Sequence, residues 1–94
     1  MDTYRQEQAQ YIEQAELLKA LAHPVRLCIV KGLIEKGGCN VSTMQQCLNM
    51  PQSTISQHLA KLKAANIVTA ERQGLEVIYR VHDPIVKQLI EILF

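Results

Sequence analysis

From Ser53 to Asn66 the chain reads STISQHLAKLKAAN, and two side-chain stripes lie on it. Ile55, Leu59 and Leu62 recur at i, i+4 and i+7, the spacing that gathers apolar groups on one helix face. Thr54, Gln57, His58 and Lys61 share the opposite face. Each of these four can hydrogen-bond, and none is acidic. Such a face suits a DNA major groove, where amides and hydroxyls meet base edges and a cation meets phosphate. An ordinary solvated helix face is the bland alternative, but such faces usually mix Glu with Lys. A second set follows at Arg72, Gln73 and Gly74, with Arg80 a little further on. On a hairpin tip these could lie along a phosphate backbone or enter a minor groove.

The rest of the chain must position these groups. Apolar residues near a 3.5-residue spacing (Tyr4, Tyr11, Ala15, Leu18, Ala22) predict a first helix over 4–22. His23-Pro24 interrupts it, and Pro24 at a first helical position opens a second helix over 24–36. Val25, Leu27, Cys28, Ile29, Val30, Leu33 and Ile34 surround much of that helix, as expected for a central, buried one. Gly37-Gly38 ends it. Ser42 is expected to cap a short third helix near 43–49, and Ser53 a fourth over 54–66, after the turn Asn49-Met50-Pro51-Gln52. The stretches 67–72 and 75–81, around Gln73-Gly74, read as a β-hairpin. Asp83-Pro84 begins a last helix with Ile85, Val86, Leu89, Ile90 and Leu93 apolar. The expected fold is therefore mainly α with one hairpin, in the order α-α-α-α-β-β-α. The two short helices joined by a tight turn make a helix-turn-helix.

Ninety-four residues leave room for a single domain, taken as 1–94. The chain is 48% hydrophobic and 20% charged, a globular balance, and with three Tyr, one Phe and no Trp its core must be aliphatic. So little aromatic bulk on so short a chain favours further burial by self-association. No apolar run is long enough to cross a membrane, and the N-terminal MDTYRQEQAQ is no signal peptide, so a cytoplasmic location is expected. The net charge of +1 says little. Its distribution says more, because residues 1–18 lean acidic and 52–80 lean basic, which suits a polyanionic partner.

The segment Glu16-Leu17-Leu18-Lys19-Ala20-Leu21-Ala22-His23-Pro24-Val25-Arg26-Leu27 resembles the opening signature of ArsR-type winged helix-turn-helix repressors. Ser53 to Leu62 resembles that family's recognition helix, and Arg72-Gln73-Gly74 followed by Val77-Ile78-Tyr79 is similar to its wing. The resemblance runs from about residue 14 to 93. It implies a homodimer held by the first and last helices, and a repressor that reads an inverted repeat in double-stranded DNA. Carried over by position, Gln52, Ser53, Thr54, Ser56, Gln57 and His58 would approach bases or phosphates. Lys61 would hold phosphate, and Arg72, Gln73 and Gly74 would serve the wing. The family's metal positions are not matched. Asn40, Val41 and Ser42 stand where a Cys-Val-Cys pattern would be, and Asp83-Pro84-Ile85 stands where Asp-x-His would be, with no His after residue 82. His23, His58, His82 and three scattered Cys offer no tetrahedral quartet for zinc, so neither metal nor cofactor is expected.

Three cysteines, at 28, 39 and 47, fit reduced thiols better than a disulfide framework. Cys28 reads as a core residue. Cys39, in a loop after two glycines, reads as the most accessible, and with Cys47 it forms the candidate redox pair of an alternative thiol-sensing repressor. Any small-molecule or redox inducer is unspecified by the sequence. Enzyme chemistry has no footing: there is no Gly-rich phosphate loop and no nucleophile with a base and an orienting group. The remaining rival is a winged-helix module that binds protein and not DNA.

Overall fold

A computed structural model describes residues 2–94. Six helices and one hairpin follow in the order α1 (Asp2–Gln6), α2 (Gln8–Leu21), α3 (Pro24–Lys36), α4 (Val41–Leu48), α5 (Gln52–Ala64), β1 (Thr69–Gln73), β2 (Glu76–Arg80) and α6 (Pro84–Leu93). The expected first helix is divided at Glu7, whose φ of −116° and ψ of 23° leave the helical region. The Tyr4 and Tyr11 rings meet across the break with centroids 5.7 Å apart. Neither Gly nor Pro stands there, and nothing in the local sequence explains the break.

Helix ends are set by identifiable side chains. His23 is the N-cap of α3, its Nδ1 accepting the Val25 N–H at 3.1 Å, and Pro24 follows in the first turn. Asn40, not Ser42, caps α4 by accepting from the Thr43 N–H at 2.8 Å. The helix thereby starts earlier than expected, because an amide oxygen at 40 is better placed than a hydroxyl already inside the first turn. Asn49 closes α4 in the left-handed region at φ 52°. The α5 N-cap is Pro51, with no side-chain cap, so Ser53 lies within the helix and not before it. Asp83 caps α6 as expected, through the Ile85 N–H at 2.9 Å.

The core is aliphatic. Ile29, Val30 and Leu33 of α3 meet Ile55, Leu59 and Leu62 of α5, with Val86 and Ile90 of α6 and the pair Ile67-Val68 closing the cluster. No charged or polar residue is buried among the described residues. Helix α3 is central as predicted, but Cys28 faces solvent.

The hairpin is antiparallel, pairing Thr69 with Arg80 through to Gln73 with Glu76, so its loop is Gly74-Leu75. The expected turn at Gln73-Gly74 is one residue early. A single further bridge joins Cys39 to Tyr79, with the Cys39 N–H donating to the Tyr79 carbonyl at 3.1 Å and the reverse bond at 2.9 Å. The chain reaches this position because Gly37 and Gly38 adopt φ 73° and 140°. A Cβ on Gly38 would lie 3.1 Å from both Arg80 Nε and Ile78 Cγ2, so the approach to β2 also needs a missing side chain. The loop after α3 is thus tied to the sheet that carries the hairpin.

Candidate nucleic-acid interface

Helix α5 presents its polar face because its apolar face is fully used. Ile55 and Leu62 are completely buried and Leu59 nearly so. Gln52, Ser53, Ser56, Gln57, Ala60, Lys61 and Lys63 are exposed, and α5 contains no acidic residue. Pro51 O accepts from the Thr54 and Ile55 N–H groups at 3.1 and 3.2 Å, which leaves the amides of Gln52 and Ser53 outside the helical ladder. Uncapped amides at a helix start carry positive potential and suit an oxyanion.

The expected stripe is not uniform. Gln57 and Lys61 are open to solvent, while Thr54 and His58 are half-buried at its edge. The His58 ring leans on His23 at the start of α3, with centroids 4.6 Å apart and planes tilted by 53°. Burial, then the nearby His23, Arg26 and Lys61, hold the His58 imidazole below its ordinary pKa. Thus His58 bridges α5 to α3, and the open face runs through Ser53, Ser56, Gln57 and Ala60. Beside it, Glu16, Lys19, Arg26 and Lys61 line a cleft of about 390 Å³ between α2, α3 and α5. The Arg26 Nε is buried with no hydrogen-bond partner.

On the hairpin, Arg72, Gln73 and Gly74 are all exposed, and Arg72 Nε donates to the Gly74 carbonyl at 3.3 Å. Arg80 is engaged within the hairpin itself, where its Nη1 pairs with Glu71 Oε2 at 3.1 Å. Lys63 and Leu75 are exposed groups on these two elements that the stripe pattern missed. Lys63 sits in the last turn of α5, where its charge was the available signal. Leu75 became visible only with the register of the hairpin.

The thiols differ from expectation. Cys39 is buried, its backbone bridged to Tyr79 and its Sγ donating to the Asn40 carbonyl at 3.3 Å. Cys28 and Cys47 are exposed, the latter with Lys36 Nζ 3.5 Å from its sulfur. The glycines before Cys39 bring the loop onto the sheet, and do not leave it free. Among the described residues, no group of three or more His, Cys, Asp or Glu side chains is gathered to hold a metal.

Two helices joined by the Asn49–Pro51 turn, the second acid-free and outward-facing, followed by a hairpin and a closing helix, define a winged helix-turn-helix. A family model described as a helix-turn-helix domain matches residues 21–71. The transcriptional repressor PagR of Bacillus anthracis is 44% identical over 81 residues, covering 86% of this chain and 81% of PagR. Its crystal structure superposes with a TM-score of 0.87 at 42% identity, over 94% of this chain and all of that one. The HTH-type transcriptional repressor SmtB of Mycobacterium tuberculosis is 53% identical over 68 residues, which is 72% of this chain and 50% of SmtB. The solution structure of the homodimeric winged helix-turn-helix DNA-binding domain Mb0332 from Mycobacterium bovis gives a TM-score of 0.84 at 30% identity, covering 93% of this chain and 80% of that one. The chain belongs to the ArsR/SmtB-type family of helix-turn-helix repressors, which are not enzymes.

Proposed function

We propose that this chain acts, as one domain over residues 1–94, as a homodimeric transcriptional repressor that binds an inverted-repeat operator. The carrying observation is the exposed face of α5, free of acids, with unladdered amides at its start and Lys61 and Lys63 at its end. Helix α5 enters the major groove, Gln57 and the Ser53–Ser56 edge meet bases, and Lys61 meets phosphate. The hairpin serves as the wing, with Arg72, Gln73 and Gly74 against the backbone. PagR and SmtB bear the name of transcriptional repressor, and Mb0332 that of a homodimeric DNA-binding domain, which supports both halves of the reading.

The dimer reading rests on the surface as well. Tyr11, Ala15 and Leu18 on α2, and Ile85, Leu89 and Ile92 on α6, recur at i, i+4 and i+7. Of these, Tyr11, Leu18, Ile85 and Ile92 are exposed, as are Tyr4, Ile12, Leu93 and Phe94. Exposed apolar side chains repeated along the first and last helices suit an interface. No helix among the described residues is long and apolar enough to cross a membrane. A regulator of this family works where the chromosome is, which supports a cytoplasmic location. A mobility-shift assay on the DNA upstream of its own gene, at two salt concentrations, tests the reading. Retention of the duplex that weakens with salt is expected, and no retention at low salt overturns it.

A further inference from the structure

The wing carries an apolar side chain that the fold does not use. Leu75 is 98% exposed, the most exposed of the large hydrophobic residues described. The others lie on α1, α2 and α6 or follow α6, on the surface assigned above to the dimer, and Leu75 alone stands apart from them. Its place is fixed, because Gln73 pairs with Glu76 and the loop between them holds only Gly74 and Leu75. Gly74 takes the left-handed conformation at φ 66°, and the tight turn holds the leucine at the extremity of the hairpin.

The groups around it match one kind of partner. The two carboxylates of the hairpin are both engaged, Glu71 by Arg80 at 3.1 Å and Glu76 by Asn40 Nδ2 at 2.8 Å. Arg72 is drawn towards the tip by its bond to the Gly74 carbonyl at 3.3 Å. The tip therefore offers an isobutyl group to the groove, flanked by a guanidinium and the Gln73 amide that face the phosphates bordering it, with its acids tied back. A DNA minor groove has walls of sugar carbons, acceptors on its floor and strong negative potential, and proteins that enter it combine Arg with apolar wedges. A protein partner would be served by the leucine but gives no reason to restrain both acids beside it.

We propose that Leu75 is a specificity-determining wedge that enters the operator minor groove and favours an easily unstacked pyrimidine–purine step beneath each wing. This inference rests on the DNA-binding reading and adds sequence preference at positions that α5 does not touch. A wedge acts by deforming the step it enters, so its preference follows step flexibility and not base-edge hydrogen bonds.

The test uses a duplex selected by the wild-type protein from a randomised pool, with the wing located by hydroxyl-radical protection. Affinities are measured by fluorescence anisotropy at several salt concentrations for wild type and Leu75→Ser. The variant is expected to bind about tenfold more weakly, with unchanged salt slope and unchanged thermal unfolding. Replacing a TA step under the wing by AA should weaken the wild type and leave Leu75→Ser nearly unaffected. Binding by the variant within twofold of wild type, with the same step preference, overturns the wedge while leaving the DNA-binding reading intact. A wild type that selects no duplex overturns both.

Discussion

Ile92 of α6 offers the sharpest test of the dimer. It is 79% exposed, while Ile90, two residues earlier, is buried in the core at 5%. Ile92→Asp should therefore leave the folded protomer close to wild-type stability, within about 0.5 kcal/mol, as is usual for surface substitutions. In a dimer the loss is larger. Burying a whole isoleucine side chain stabilises by roughly 1.5–3 kcal/mol, so covering most of Ile92 contributes about 1–2 kcal/mol per protomer. A two-fold interface repeats each residue, which makes the loss about 2–4 kcal/mol per dimer, before the cost of placing a carboxylate there. At about 1.4 kcal/mol per factor of ten, the dimer dissociation constant should rise by roughly two orders of magnitude. Sedimentation velocity over a concentration series reads this directly, and urea unfolding at one low concentration checks the protomer. Leu75→Asp is the matched control, since it adds the same charge at an exposed leucine on the hairpin. A wild type that is monomeric at micromolar concentration, or an Ile92→Asp dimer as tight as wild type, would refute the reasoning.

Further outcomes are expected. Gln57→Ala should cost about 1–3 kcal/mol per half-site and relax the preference at one base pair, whereas Lys61→Ala and Arg72→Ala should weaken all sequences alike and lower the salt slope by about one unit for each phosphate no longer held; anisotropy titrations that give the reverse pattern would exchange these roles. The pKa of His58 is lowered in the folded chain, so the unfolded chain binds more protons. Its contribution to stability is then complete above the ordinary value of 6.5 and declines as pH falls through that value toward the folded pKa. Urea midpoints from pH 8 to 5 should fall more steeply for wild type than for His58→Gln, and parallel curves would remove His58 from the account. Gly38→Ala places a Cβ 3.1 Å from Ile78 Cγ2 and Arg80 Nε at φ 140°, so it should destabilise by about 1–3 kcal/mol; chemical denaturation showing no loss would mean that the loop can leave the sheet freely.

The parts of this molecule legible in its sequence were those governed by near neighbours. The spacing of Ile55, Leu59 and Leu62 gave the buried face of α5, and His23-Pro24 and Gly37-Gly38 marked both ends of α3, because a helix repeats every 3.6 residues and its caps act within one turn. The Asn40 cap was obscured by the rival hydroxyl of Ser42, two residues on. Cys39 and Cys28 exchange their expected environments for a different reason. Burial of Cys39 depends on pairing with Tyr79, far along the chain, and exposure of Cys28 depends on which flank of α3 its neighbours leave open. The hairpin loop shifted by one residue because β pairing, not the position of the glycine, fixes which two residues remain unpaired. His58 belonged to the correct face, yet its contact with His23 required the crossing of α3 and α5.

The bridge between Cys39 and Tyr79 makes the protein report on its own breathing. Cys28 and Cys47 are exposed on the protomer, while Cys39 keeps only 9% exposure and should react readily when the segment at 37–40 lifts away from β2. Its labelling rate, taken relative to the two exposed thiols, is thus a clock for local opening of the wing root and gives the free energy of that opening without global unfolding. The same clock should slow when the hairpin is held against a duplex, so one mass-spectrometric time course, with and without DNA, would follow the wing through a native cysteine with no probe attached.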